Sequence, residues 1–216
     1  MGIISRFPAG ATKPYIEEIY NSDGQLISAN MHGYEVVRDN AFSYCSNLAL
    51  TSLPSGITNI GNSSFAGCTS LALTSLPSGI TSIDVAAFSD CSSLALTTLP
   101  SGITSISDYV FSNCSNLALT SLPSGITNIG NSSFAGCTSL ALTTLPSGIT
   151  YIGVLAFSDC SSLVSLTFEG TPENIEASAF AGCNNLTTIN VPWAEGAVAD
   201  APWGAQNATI NYGHTG

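Results

Sequence analysis

The residues of this 216-residue chain that could carry chemistry are seven cysteines, two histidines and fourteen carboxylates. Cys45, Cys68, Cys91, Cys114, Cys137, Cys160 and Cys183 fall every 23 residues. One thiol per period, rather than pairs, is not the spacing of a disulfide framework. If the periods stack, equivalent Cα atoms lie about 4.8 Å apart, within disulfide reach. Their side chains would point the same way, however, so bridging would strain the stack. Zinc needs four ligands that converge on one point, and a line of cysteines does not converge. The expected role is a column of buried free thiols packing as small hydrophobic groups.

The other candidates for catalysis are scattered. His32 and His214 stand at opposite ends of the chain, and between residues 40 and 168 the only charges are Asp84, Asp90, Asp108 and Asp159. Asp90 and Asp159 share a column three periods apart, about 14 Å at strand spacing, too far for a working carboxylate pair. Serine is abundant, but no histidine is placed to activate it. No glycine-rich phosphate loop is present. The expectation is a protein that is not an enzyme, with no catalytic residue, cofactor or metal, and with the aspartates solvated in bends.

Charge narrows the partners. The formal net charge is -11, and the three basic residues, Arg6, Lys13 and Arg38, all precede the regular repeats. Binding to phosphate backbones or to acidic lipid needs clustered Lys and Arg, so neither nucleic acid nor an acidic membrane surface is an expected partner. Hydrophobic residues make up 44% and charged residues 8%, the reverse of a disordered composition. The apolar runs are only a few residues long, so membrane insertion is not expected. The start, MGIISRFPAG, reads as neither a secretory signal nor a myristoylation site, because Arg6 stands where Ser or Thr is required. The chain is expected either to be kept without export or to have lost its signal.

These residues are positioned by a repeat. Residues 62–84, NSSFAGCTSLALTSLPSGITSID, return almost unchanged as residues 131–153. Phe42, Phe65, Phe88, Phe111, Phe134, Phe157 and Phe180 keep the same 23-residue period as the cysteines. A fixed period in this range predicts a solenoid of stacked turns. Each turn has three parts. Leu48, Leu50 and Leu53 point inward from a short strand of a parallel sheet that ends at Pro54, while Ala49 and Thr51 point outward. Ile57 and Ile60 point inward from an extended segment on a second wall. Residues 63–68 form a helical turn or tight bend that sends Phe65 and Cys68 to the core.

The predicted organisation is an irregular lead over residues 1–18, a hairpin with a degenerate capping turn over 19–41, the array over 42–192 and a cap over 193–216. Tyr15 to Tyr20 and Gln25 to Ala29 read as the hairpin strands around Asn21-Ser22-Asp23-Gly24. In the C-terminal cap, a short helix ending at Pro202 is expected, with Trp193 and Trp203 covering the final rung and residues 208–212 as a closing strand.

Three features bear on binding. Thr51, Thr74, Thr97, Thr120 and Thr143 predict one outward file, and Thr58, Thr81, Thr104, Thr127 and Thr150 another. Flat uncharged threonine files suit an ice-binding solenoid, although threonine also suits any outward strand position. Variation concentrates just before each Phe, at Gly61-Asn62-Ser63-Ser64, Asp84-Val85-Ala86-Ala87, Ser107-Asp108-Tyr109-Val110 and Gly153-Val154-Leu155-Ala156. Tyr109 and Tyr151, the aromatic residues outside the Phe column in this region, are either partner contacts or tolerated surface substitutions.

Residues 152–163, IGVLAFSDCSSL, and residues 186–192, LTTINVP, resemble the two halves of a turn in the BspA-like leucine-rich repeat family. The resemblance covers about residues 31–192. It implies a right-handed, α/β-type but mostly β leucine-rich solenoid, capped at both ends. It further implies a non-enzymatic module of bacterial surfaces for adhesion, binding or display, whose partner is a protein or glycan on a cell surface. The middle turns depart from the family by placing Thr where it has an aliphatic residue. The lead and tail are also similar to sequences near prophage structural genes, which implies virion display as another location. The alternative is a purely structural spacer in a larger assembly. It draws on a copied unit, since residues 46–81 and 115–150 differ only at Ser75 against Thr144.

Overall fold

The computed structural model describes residues 15–214; most of the irregular lead expected over residues 1–18 lies outside them. The described residues open with an antiparallel hairpin of β1 (Tyr15–Tyr20) and β2 (Leu26–His32). Asn21 closes its turn by accepting the N–H groups of Asp23 and Gln25 on its side-chain oxygen. Gly24 supplies the left-handed residue (φ 74°).

From there the chain winds into a solenoid of short parallel strands. On one wall, β3 (Val36–Val37), β4 (Asn59–Ile60) and β5 (Ser82–Ile83) form one ladder. On the same wall, β6 (Ser105–Ile106), β7 (Asn128–Ile129), β9 (Tyr151–Ile152) and β11 (Asn174–Ile175) form the next. Partners differ by 23 residues throughout, as in Asn59 with Ser82, so the sequence period is the physical rung. The ladder is interrupted between β5 and β6. There the Ser107 hydroxyl, not a backbone N–H, reaches the Ile83 carbonyl at 2.7 Å.

The other wall departs from expectation. In the middle turns the Leu-Ala-Leu-Thr stretch forms no strand. It is joined to its neighbour by single bonds such as Ala72 N–H to Leu50 C=O at 3.0 Å. A ladder develops only toward the C-terminus, where β8 (Thr144–Leu145), β10 (Ser165–Phe168), β12 (Thr188–Asn190) and β13 (Thr209–Asn211) pair in parallel. The inward and outward assignments still hold: Leu48, Leu50, Leu53, Ile57 and Ile60 are buried, while Ala49 and Thr51 are exposed.

The third part of each turn is a bend, and the described residues contain no helix. Its N–H groups alternate between two kinds of partner. Ser63, Phe65 and Gly67 donate to the next turn, at Val85, Ala87 and Ser89, while Ser64, Ala66 and Cys68 donate three residues back within their own turn. Half of the donors are thus spent between turns, so an i→i−4 helix cannot form. The alternation also needs left-handed backbone at positions 63 and 67 of each repeat, where Ser63 has φ 49° and Gly67 φ 72°. The outcome foreseen for Phe65 and Cys68 is nevertheless reached, since both are fully buried.

One continuous core runs the length of the stack. Its spine is the Phe column, from Phe42 to Phe180, with successive ring centroids 5.1–5.8 Å apart and planes within 16° of parallel. At the C-terminal end Trp193 and Trp203 are buried against Phe168, and the Trp203 indole N–H donates to the Ala199 carbonyl at 2.6 Å. The two tryptophans thus close the stack, and β13 supplies the foreseen last strand. The segment between the tryptophans is a run of turns rather than the expected helix.

Candidate functional site

The cysteine column lies beside the Phe spine. All seven cysteines are free thiols, and six are buried. Cys45 is half-buried, because it is the first in its column and no bend covers it from the N-terminal side. The buried thiols are more than small hydrophobic groups. Each Sγ of Cys68, Cys91, Cys114, Cys137, Cys160 and Cys183 lies 2.9–3.1 Å from the carbonyl of the Phe one turn back. That carbonyl already accepts an N–H from its own turn, as Phe65 does from Cys68. The thiol therefore satisfies a second lone pair. Burial pushes the Cys68 and Cys137 thiols up to about 12, and Cys91 and Cys114 well above the ordinary range, so they remain protonated donors and not nucleophiles. Among the described residues no group of three or more His, Cys, Asp or Glu is placed to hold a metal ion.

The threonine files have separate fates. Thr51, Thr74, Thr97, Thr120 and Thr143 are all exposed on the strandless wall. In the second file, hydroxyls are committed to the scaffold: Thr58, Thr127 and Thr150 donate to Glu35, Thr104 and Thr127 carbonyls one turn back, at 3.1–3.2 Å. A third file, not singled out from the sequence, does the same directly after the cysteines. Thr69, Ser92, Ser115, Thr138 and Ser161 each reach the carbonyl of the equivalent residue one turn back. Eight of the fifteen hydroxyls in these three files therefore serve the stack.

The array's chemical variety gathers in the bend. All four aspartates of the regular turns lie there, and their partners are Ser and Asn: Asp84 accepts from Ser82, Asp90 from Ser89 and Asn113, Asp108 from Asn131, and Asp159 from Ser158. Asp108 is built into the scaffold, because its Oδ1 caps the Asn131 N–H at 2.7 Å. A Cβ on Gly130 would fall 2.5 Å from that same oxygen, so only glycine leaves the carboxylate room. Asp39 and Gly61 repeat the arrangement at the N-terminal end.

The same bend carries the exposed apolar residues. Val85, Tyr109, Val154 and Leu155 are 37–48% exposed, and Tyr44 is 80% exposed. Backbone bonds order them along one edge, with Ala86 N–H to Asp108 C=O setting Val85 beside Tyr109, and with the polar turn of Asn131 and Ser132 standing between Tyr109 and Val154 through Tyr109 N–H to Asn131 C=O and Ser132 N–H to Val154 C=O. Tyr109 and Leu155 are also left-handed, at φ 57° and 56°. The turn demands that conformation at this position, as Asn40, Ser63, Ala86 and Ser132 also show. It does not demand a bulky apolar side chain, which bears a cost of about 1–2 kcal/mol there.

Of the two tyrosines singled out from the sequence, only Tyr109 belongs to this row. Tyr151 sits in strand β9, half-buried, with its hydroxyl 3.4 Å from Glu176. Burial, and then Glu176, push that hydroxyl's pKa up. Aromatic type picked out both. The signal that reaches Val85, Val154 and Leu155 is the variation before each Phe. Tyr44 lay outside the turns compared.

The winding, the 23-residue rungs and the inward leucines and isoleucines define a leucine-rich-repeat solenoid. The model of the BspA type leucine-rich repeat region matches in six copies, over residues 35–163 and 116–194, and the chain belongs to that family. It is similar to the leucine-rich repeat protein TpLRR of T. pallidum, with 29% identity and a TM-score of 0.63, over 84% of this chain and 91% of that one. It is also similar in fold to a leucine-rich repeat protein of Bacteroides ovatus, with 24% identity and a TM-score of 0.54, over 85% of this chain. The chain spans about half of that protein's length, 47%. No curated protein matches the chain.

Proposed function

We propose that this chain is a non-enzymatic binding module of a bacterial surface and that it meets its partner with the bend edge carrying Val85, Tyr109, Val154 and Leu155. The carrying observation is one of distribution. Within residues 40–163, all four carboxylates and all the large exposed apolar residues lie in the bends, while the walls repeat Ala, Thr and Ser; Val164, 58% exposed on a wall, stands just beyond. Surface apolar residues grouped on one edge mark interaction sites. Family membership agrees with a binding module.

The test is binding of labelled protein to a panel of intact gut bacteria and to immobilised matrix proteins. The wild type is expected to bind at least one of them saturably, and Tyr109→Ser/Leu155→Ser to lose that binding. Equal binding by the variant would move the site off this edge. Binding to particular bacterial cells would point to a virion-borne receptor-binding role, and binding to matrix to an adhesin. A structural spacer is the second reading, favoured by the near-identical units at residues 46–81 and 115–150; absence of binding to every surface would select it. The exposed file from Thr51 to Thr143 makes ice binding a third reading, which thermal hysteresis would detect.

A further inference from the structure

The chemistry of the edge constrains what can sit on it, given the binding-module reading above. Two of the apolar residues stand directly beside an acid, Asp84 preceding Val85 and Asp108 preceding Tyr109, while Asp159 lies four residues on from Leu155 in its bend and Val154 has no acid beside it. Across the stack, the Ala86–Asp108 backbone bond sets the Asp84–Val85 pair next to Asp108–Tyr109. No cation balances them, since Arg38 is the only Lys or Arg within residues 15–214, and it precedes the regular turns. At about 4.8 Å per turn, the row from Val85 to Leu155 is about 14 Å long, the reach of four or five residues of extended chain.

We infer that this edge docks a basic protein segment in which Lys or Arg alternates with side chains of Leu or Phe size. Charge complementarity fixes the sign of the partner, and the exposed Val85, Tyr109, Val154 and Leu155 require it to bring apolar groups as well. An acidic or purely polar partner would leave one half of the edge unmatched.

The experiment measures anisotropy of a labelled synthetic peptide of alternating Lys and Leu, with a Glu/Leu peptide and a deacetylated chitin oligomer as comparisons. The Lys/Leu peptide is expected to bind the intact protein and to weaken as salt rises. Both Tyr109→Ser/Leu155→Ser and Asp84→Asn/Asp108→Asn are expected to weaken it by about tenfold or more. Asn at 108 keeps an oxygen for the Asn131 N–H at 2.7 Å and gives up only the longer bond from the Asn131 side-chain amide at 3.3 Å, so thermal unfolding of this variant is recorded alongside. Thr51→Ala/Thr143→Ala, on another wall, is expected to bind as the wild type does.

No preference for the basic over the acidic peptide, or binding that survives loss of Tyr109 and Leu155, would overturn the inference. Equal binding of the cationic glycan would overturn the assignment to protein. Saturable cell binding without peptide binding would sink this inference and leave the binding module standing. Loss of both would remove both.

Discussion

A thiol that donates to a carbonyl behaves differently from a methyl group when the pH rises. The Cys68 and Cys137 thiols move from an ordinary value of 9.0 to about 12 on folding, because burial disfavours the thiolate. A pKa raised in the folded state means that the native protein holds its protons while the unfolded chain releases them. The associated stability is therefore complete below pH 9 and is lost as the pH climbs toward 12. The denaturation midpoint is expected to stay level from neutral pH to about 8.5 and then to fall, with Cys137→Ala showing a shallower fall. A thiol-reactive dye should label Cys45 alone in the native protein and all seven cysteines after unfolding. At two other positions the residue choice works against the fold. Ser64 and Ser133 are fully buried and their hydroxyls have no partner, in a column otherwise filled by Ala87, Val110, Ala156 and Ala179. Ser133→Ala removes an unsatisfied hydroxyl and is expected to stabilise by about 1 kcal/mol, read by chemical denaturation.

The element that matters most is the bend. Three-residue spacing of Phe65 and Cys68 suits one turn of helix, and it suits equally a bend whose alternate N–H groups leave for the next turn. The choice depends on a neighbour 23 residues away, which local pattern does not contain. The strandless wall has a related cause. With Thr at the fourth place, where the family carries an aliphatic residue, the middle turns bury their first, third and sixth residues, as in Leu48, Leu50 and Leu53, and regular strands return in β10 and β12, where the first, fourth and sixth are buried, as in Leu163, Leu166 and Phe168. Within the bend the Phe spine bears the load of packing. Phe111→Ala removes the ring between Phe88 and Phe134 and should cost about 3–5 kcal/mol, with Phe111→Leu costing less. Both are measurable by equilibrium unfolding.

For the whole molecule, the periodic register makes length adjustable. Deleting residues 46–114 joins Cys45 to Ser115, and the new junction copies the old one because residues 46–81 and 115–150 are nearly identical. The shortened chain is expected to fold with both caps. Small-angle scattering should show a loss of about 14 Å in length, three rungs of about 4.8 Å. Stability should also fall, because each turn is held only by its neighbours. The deletion removes Val85 and Tyr109 but keeps Val154 and Leu155, so it should also impair binding through the bend edge. A chain that misfolded would show that the turns are less interchangeable than their sequences.

Period, inward columns and the ends that need caps were legible from the sequence, because a side chain repeated at one interval and buried on one face has few arrangements to choose from. The hairpin and the closing strand were legible for a similar reason, since turn residues and β-formers act locally. Tertiary structure alone decided which wall carries the ladder, that the bend and the C-terminal cap hold no helix, and that the cysteines serve as hydrogen-bond donors. It also gathered Val85, Tyr109, Val154 and Leu155 into one row while leaving Tyr151 in a strand. Each of these depends on which backbone group of a neighbouring turn lies within reach. That is set by how the turns stack, and no single turn encodes it.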